Sequence, residues 1–242
     1  MKVDVAFVPE AFRTDDAVGK RVVVVDVLRA STTIITALAH GAEKVVPVAT
    51  MTQAGEEAAK YPKAKMLLCG ERGSVRIPGF DLGNSPNDYG EETVCGKTLV
   101  YTSTNGSRMI VKSAGAAALL VAGFVNGKAV VERLRDGKGD CLIACSGTNG
   151  GFSMEDAACA GFIVDGLVNT SHGQSLELGD GAKAARVLYD RFSKDLLTMA
   201  KESVQGRVLI SLGMEDDIPL CVSVDSTDVV PVMGDGALIR SG

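Results

Sequence analysis

Tryptophan is absent from the 242-residue sequence, and histidine occurs only at His40 and His172, neither beside a second cluster of ligand-type residues. A zinc centre is therefore not expected. Cys69, Cys95, Cys141, Cys145, Cys159 and Cys221 show no C-x-x-C spacing and mostly sit in or beside apolar segments, which reads as buried free thiols in a reducing cytosol rather than as disulfides. Dense Lys/Arg runs are missing too. With a formal net charge of −5 the chain lacks the basic stripe that a nucleic-acid backbone demands, so no nucleic-acid partner is expected. No apolar run approaches the roughly 18 residues of a membrane span, and the opening MKVDVAFVPE has no basic stretch followed by an apolar signal core. These absences suit a cytoplasmic protein with no membrane partner. Any anionic ligand must be held by local positive charge and local hydrogen-bond donors.

What is present is an apolar fraction of 46% and 28 glycines, a composition suited to an α/β fold with many tight strand-to-helix turns. Short β-branched runs alternate with helical patterns, so the expected architecture is a largely parallel central sheet flanked by helices. Strands are predicted at Val3 to Phe7, Arg21 to Asp26, Val45 to Ala49, Met66 to Cys69, Leu99 to Thr102, Ala117 to Ala122 and Cys141 to Cys145. Helices are predicted from about Thr32 to Gly41, from Thr50 or Thr52 to before Pro62, over Gly106 to Ser113, over Val125 to Arg135 with Asn126 as cap, and over Met154 to Val168. The stretch GERGSVRIPGFDLGNSPNDYG reads as polar loops, with Ser85 capping a turn that opens on Pro86. Asp180 to Val204 reads as a charged surface helix pair broken near Ser193, and Arg207 to Arg240 as short strands and turns. No Ser/Gly or Pro linker divides the chain. One unit of residues 1–242 is expected, with about 170–242 as a candidate subdomain. The apolar composition suits a homodimer.

Ligands of open parallel sheets bind at the carboxyl ends of strands, where helix N-termini also point. Four predicted strands run directly into polar segments: Asp26-Val27-Leu28-Arg29-Ala30-Ser31-Thr32-Thr33, Gly70-Glu71-Arg72-Gly73, Ser103-Thr104-Asn105-Gly106-Ser107 and Ser146-Gly147-Thr148-Asn149-Gly150-Gly151. A shared polar rim is the expectation. Hydroxyls and turn amides there suit phosphoryl oxygens, arginines suit carboxylate or phosphate, and acidic groups suit Mg²⁺. Ser103-Thr104-Asn105-Gly106 and Gly147-Thr148-Asn149-Gly150 echo each other as two anion-facing turns.

Asp26 stands out because a carboxylate ending a buried valine run fits a metal ligand or a phosphoryl-accepting nucleophile; a structural pair with Arg29, or a cap on the next helix, is the plainer reading. Glu71 is a candidate second ligand, and Glu155 and Asp156 open a helix whose dipole they also complement. Familiar phosphate motifs fail on spacing. VVVVDVLRAST resembles the first motif of haloacid-dehalogenase phosphatases, but Leu28 replaces their second aspartate. Gly151 stands where the cysteine-phosphatase loop after Cys145 needs arginine, and Glu91 stands where a Walker A loop ending in Gly96-Lys97-Thr98 needs its first glycine.

Val25 to Ile34, Gly70 to Gly73, Gly79-Phe80-Asp81-Leu82-Gly83-Asn84-Ser85-Pro86, Ser103 to Gly106 and Phe152-Ser153-Met154-Glu155-Asp156 are similar to the motifs of the 2-phosphosulfolactate phosphatases. Leu212-Gly213, Asp216-Asp217-Ile218 and Val229-Val230-Pro231 extend the likeness over nearly the whole chain. The departures are Ser74 for a glycine, Ser107 for a threonine and Ser146 for an alanine. The resemblance implies Mg²⁺-dependent hydrolysis of (R)-2-phospho-3-sulfolactate to 3-sulfolactate and phosphate, a step toward coenzyme M. On that basis Asp26, with Glu71 or Asp156, would hold Mg²⁺, while Ser31, Thr32, Thr33, Ser103, Thr104, Asn105 and Gly106 cradle the phosphate beside Asn84, Ser85, Ser146 and Gly147. Arg29, Arg72, Arg76 and Arg108 are the candidates for the acid groups, and Glu71, Glu155 and Asp156 for proton donation. Attack by Asp26 itself and attack by water both stay open. Phosphatase action on another small phosphorylated acid, or non-catalytic binding of a small anion, are the alternatives.

Overall fold

The computed structural model describes residues 1–170 and 175–241, so His172 lies outside the described residues. The strands are β1 (Lys2–Ala6), β2 (Arg21–Val25), β3 (Lys44–Pro47), β4 (Met66–Arg72), β5 (Val75–Arg76), β6 (Thr98–Thr102), β7 (Ala118–Ala122), β8 (Cys141–Cys145), β9 (Glu177–Leu178), β10 (Pro231–Gly234) and β11 (Ala237–Arg240). Among the described residues they form one eleven-stranded sheet in the order β5-β4-β6-β3-β11-β10-β7-β2-β8-β1-β9. One parallel block comprises β4, β6 and β3, and a second comprises β7, β2, β8, β1 and β9. The α/β class read from the alternating pattern is what forms.

Strand residues divide by parity, because successive side chains of a strand point to opposite faces. Val3, Val5, Val23, Val25, Ile143 and Cys145 pack under helices Gly127–Asp136 and Met154–Thr170. Val22, Val24, Leu142, Ala144, Leu99 and Tyr101 pack under helices Ala30–Ala39 and Gly106–Lys112. Both faces of β2 are buried, so RVVVV needs no polar alternation. Helix Met154–Thr170 lies so close to helix Asp180–Phe192 that a β-carbon at Gly161 would fall 2.0 Å from the Ala185 carbonyl oxygen, which excludes any larger residue there.

The β10–β11 hairpin joins the two blocks. It pairs antiparallel with β7 through Val232 and Leu120, and with β3 through Leu238 and Val45. Three antiparallel steps make the blocks run in opposite senses, so the sheet is mixed rather than wholly parallel. The polar segments that follow β2, β4, β6 and β8 nevertheless line one cavity, as expected of a shared polar rim. Register does the local placing. Val25 lies opposite Cys145, so Asp26 and Ser146 leave adjacent strands together, and Gly70 lies opposite Thr102, which sets Glu71 beside Thr104.

Several further expectations change. GERGSVRIPGFDLGNSPNDYG is not all loop: β4 continues through Arg72 and turns back as β5, Ile77 is buried as an apolar side chain, and Glu71, Asn84 and Tyr89 are buried because their polar atoms find partners inside. The Ser85 hydroxyl caps no turn; it donates to Asp217 Oδ1 at 2.5 Å. Asn126 Oδ1 accepts from the Gly123 N–H at 3.0 Å and its amide donates to the Val121 and Val229 carbonyls, so it ties the chain before β10 to the end of β7 rather than capping the helix that follows. The tail forms helices Val204–Ser211 and Asp217–Cys221 before its hairpin, the first capped by Ser203, whose hydroxyl accepts from the Gly206 N–H. All six cysteines are free, but Cys95 is exposed. Among the described residues no helix is long and apolar enough to cross a membrane.

Candidate active site

Asp26 emerges from β2 straight into the first turn of helix Ala30–Ala39. Its Oδ1 accepts from the Ala30 N–H at 3.2 Å, and its own N–H donates to the Ser31 hydroxyl at 2.9 Å. The helix-capping role is therefore real. From the other block, Gly106 approaches so closely that an added β-carbon would lie 2.6 Å from Asp26 Oδ2. Burial pushes the Asp26 carboxyl up to about 7, the charges of Glu71 and Glu155 push the same way, and the amides of Ala30 and Gly106 pull against them.

Glu71, at the end of β4, is held by three donors: the Thr104 N–H at 2.6 Å and hydroxyl at 3.1 Å, and the Ser74 N–H at 2.8 Å. Asp156 bridges the turns after β2 and β8, accepting from the Val27 N–H at 2.8 Å and the Gly147 N–H at 3.1 Å. Burial, then the charges of Asp26 and Glu155, raise its carboxyl well above the usual range. Glu155 is also buried and raised by desolvation, and its Oε2 has no hydrogen-bond partner.

Arg29 pairs with Asp217, not with Asp26. Its Nη1 lies 2.5 Å from Asp217 Oδ2 and its Nη2 donates to the Ser74 carbonyl at 2.7 Å, which leaves Nε without a partner. Asp217 also accepts from Ser85 and Asn87. The Ser31, Thr32 and Thr33 hydroxyls are engaged with the Asp26 N–H, the Val27 carbonyl and the Asn84 carbonyl. Ser103 and Ser107 bond each other. Arg72 donates to the Glu71 carbonyl and the Thr102 hydroxyl, and Arg76 to the Asp81 carbonyl.

A cavity of about 100 Å³ brings together Asp26, Arg29, Glu71, Asn84, Thr104 and Asn105 from the sequence-based set. Glu155 and Asp156 lie behind it, outside its lining. Leu28, Gly73, Ser74, Asn149, Gln205 and Val208 complete the wall. Asn149 had a signal, since the Thr148-Asn149-Gly150 turn echoes Thr104-Asn105-Gly106, and both asparagines reach the cavity. Gln205 had none; it comes from a tail helix and donates to the Ser74 hydroxyl at 2.9 Å. Tyr101, which donates to Asn84 Oδ1 in the cavity wall, sits inside an apolar strand that gave no hint of it.

Cation chemistry at this cavity has two acidic side chains to work with, Asp26 and Glu71. Among the described residues no three His, Cys, Asp or Glu groups cluster to hold a metal by themselves. That donor set fits Mg²⁺, which keeps several waters and binds through one or two carboxylates together with substrate phosphate. It does not fit a closed zinc cage.

Fold and cavity thus define an α/β protein with a buried, acid-lined polar pocket where two parallel blocks meet. A family model described as 2-phosphosulpholactate phosphatase matches residues 6–236. A protein of Clostridium botulinum (strain Alaska E43 / Type E3) named probable 2-phosphosulfolactate phosphatase is 38% identical over 241 residues, covering 99% of this chain and 100% of its own. One of the same name from Thermotoga maritima is 43% identical over 217 residues, 90% of each chain, and one from Symbiobacterium thermophilum is 38% identical over 93% of this chain and 96% of its own. The chain belongs to the 2-phosphosulfolactate phosphatase family.

Proposed function

We propose that the chain is an Mg²⁺-dependent phosphatase that hydrolyses (R)-2-phospho-3-sulfolactate to 3-sulfolactate and phosphate. One observation supports this most directly: Asp26, Glu71, Glu155 and Asp156 are buried together, while the buried guanidinium beside them, Arg29, is already matched by Asp217. Uncompensated buried carboxylates are costly, and a polyanionic substrate entering beside them makes the imbalance worse. A divalent cation held by Asp26 and Glu71 would neutralise both the site and the phosphoryl oxygens.

The chain's own residues do the rest. Thr104 and Glu71 fix each other, so the turn at Asn105 is held rigid against the phosphate. Asp156 holds the backbone after Asp26 and after Ser146 from behind, which makes it a positioning residue. Water supplies the new P–O bond, the ester P–O bond breaks, and the departing secondary alkoxide takes a proton. Glu155 and Asp156 lie outside the cavity lining and Glu71 would be engaged with the cation, so the proton that the alkoxide takes is the one the attacking water releases. On this reading the product leads toward coenzyme M, the protein acts in the cytoplasm as a homodimer, and its ligand is a small phosphorylated acid rather than a nucleic acid. Phosphate release from 2-phosphosulfolactate, measured with and without EDTA, tests the proposal. Equal turnover of simple phosphomonoesters, or no dependence on Mg²⁺, would overturn it.

A further inference from the structure

Beside the acid-lined cavity lies a second lobe of about 190 Å³ with the opposite character, lined by Arg108, Lys112, Ser146 and Glu10 among others. Thr104 and Asn105 border both lobes, and the echoing turn supplies Asn149 to the first and Gly150 to the second. The Ser146 hydroxyl is fully buried in the wall of the second lobe and has no hydrogen-bond partner. Buried polar atoms are rarely left so. Arg108 is exposed at the rim and takes part in no salt bridge among the described residues. Lys112 spends one donor on the Pro9 carbonyl at 2.7 Å and its ammonium lies 5.6 Å from the centre of the Phe12 ring, so two contacts hold it in place. Two cations face one carboxylate, Glu10, which leaves the lobe net positive. The charge of Arg108, behind burial as the main cause, also lowers the nearby Arg72 guanidinium from its usual value.

We propose that this basic lobe is the subsite for the second strong acid of the substrate, a sulfonate on the carbon next to the phosphorylated one, recognised by Arg108, Lys112 and the Ser146 hydroxyl. The inference rests on the phosphatase reading given above and adds a division of labour to it: the acid lobe with its cation takes the phosphate, and the basic lobe takes the sulfonate. Arg29 and Arg76 are excluded from that second role, the first by its pairing with Asp217 and the second by its place outside both linings.

Arg108→Gln and Ser146→Ala are compared with the unaltered protein on 2-phosphosulfolactate and on 2-phospholactate, which lacks only the sulfonate. Loss of a charged hydrogen bond predicts that Arg108→Gln lowers kcat/KM for the sulfonated substrate about 10- to 100-fold more than for 2-phospholactate, through KM, and that Ser146→Ala follows in the same direction. Equal losses on both substrates overturn the subsite. Calorimetric binding of 3-sulfolactate separates this proposal from the activity itself. If the unaltered protein releases no phosphate from 2-phosphosulfolactate, the phosphatase reading falls, yet 3-sulfolactate binding that weakens in Arg108→Gln still supports the lobe. Binding that is unchanged, or absent from both proteins, overturns it. Arg108 is exposed, so its variant keeps the test sound even where Ser146→Ala fails to fold.

Discussion

Gly106 shows how little room the centre of the pocket leaves. A methyl group there would sit 2.6 Å from both Asp26 Oδ2 and Ala30 Cβ, and neither neighbour can yield, since one ends a buried strand and the other opens a buried helix. Gly106→Ala should therefore cost about 1–3 kcal/mol by overpacking, read as a lower urea midpoint, and should depress activity beyond that loss because it displaces Asp26. A wild-type midpoint and wild-type turnover would show that the two blocks do not meet this tightly. Asp26→Asn asks a chemical question instead. Its shape is preserved, so the fold should persist while phosphate release falls about 10²- to 10⁴-fold; turnover within a few-fold of normal would remove Asp26 from the chemistry. At this scale the site is half legible in the sequence. Asp26 and Glu71 are visible because a charge ending an apolar run has few innocent explanations. The partners of the hydroxyls are not, since nothing local tells Ser31 or Thr33 to turn toward backbone groups, and nothing in the tail marks Gln205 or Asp217 as reaching residues more than a hundred positions away.

Secondary elements are legible where one period dominates. β2 and β8 are bounded closely by their apolar runs, and Thr50 marks the start of helix Met51–Ala58 with a hydroxyl that accepts from Gln53. The order of the strands is another matter. The β10–β11 hairpin enters the sheet between β3 and β7, a choice set by long-range packing against helix Ala30–Ala39 that no neighbour in sequence announces. Asn126 fastens that insertion: one buried side chain satisfies the Gly123 N–H and the Val121 and Val229 carbonyls. Asn126→Ala would leave those groups buried and unmatched, at a cost of about 2–3 kcal/mol in equilibrium unfolding. Because Val229 leads into β10, hydrogen exchange should rise first in β10 and β11, whereas exchange confined to the Gly127–Asp136 helix would mean that Asn126 serves only the helix.

The whole molecule carries the electrostatic consequence of burying its acids together. Asp26 is pushed up to about 7 in the folded protein, against about 4 when unfolded, so between those values the folded state holds a proton that the unfolded state has released. The sign follows directly. This contribution to stability is fully present below about pH 4 and is lost as the pH rises to about 7, and Glu155 and Asp156, raised for the same reason of burial, act in the same direction. The protein stripped of divalent cations should therefore melt at progressively lower temperature as pH rises from 5 to 8. Asp26→Asn should flatten that slope, because its amide has no proton to lose. Added Mg²⁺ should restore the melting temperature most at the alkaline end, where the carboxylates are ionised, and a concentration of about 100 times its Kd is worth about 2.7 kcal/mol. Thermal melting across pH, with EDTA and with Mg²⁺, measures all three effects without reference to turnover. A slope that is flat in the cation-free protein, or identical in Asp26→Asn, would mean that the buried carboxylates do not govern stability, and with that the case for a neutralising cation at this pocket would go.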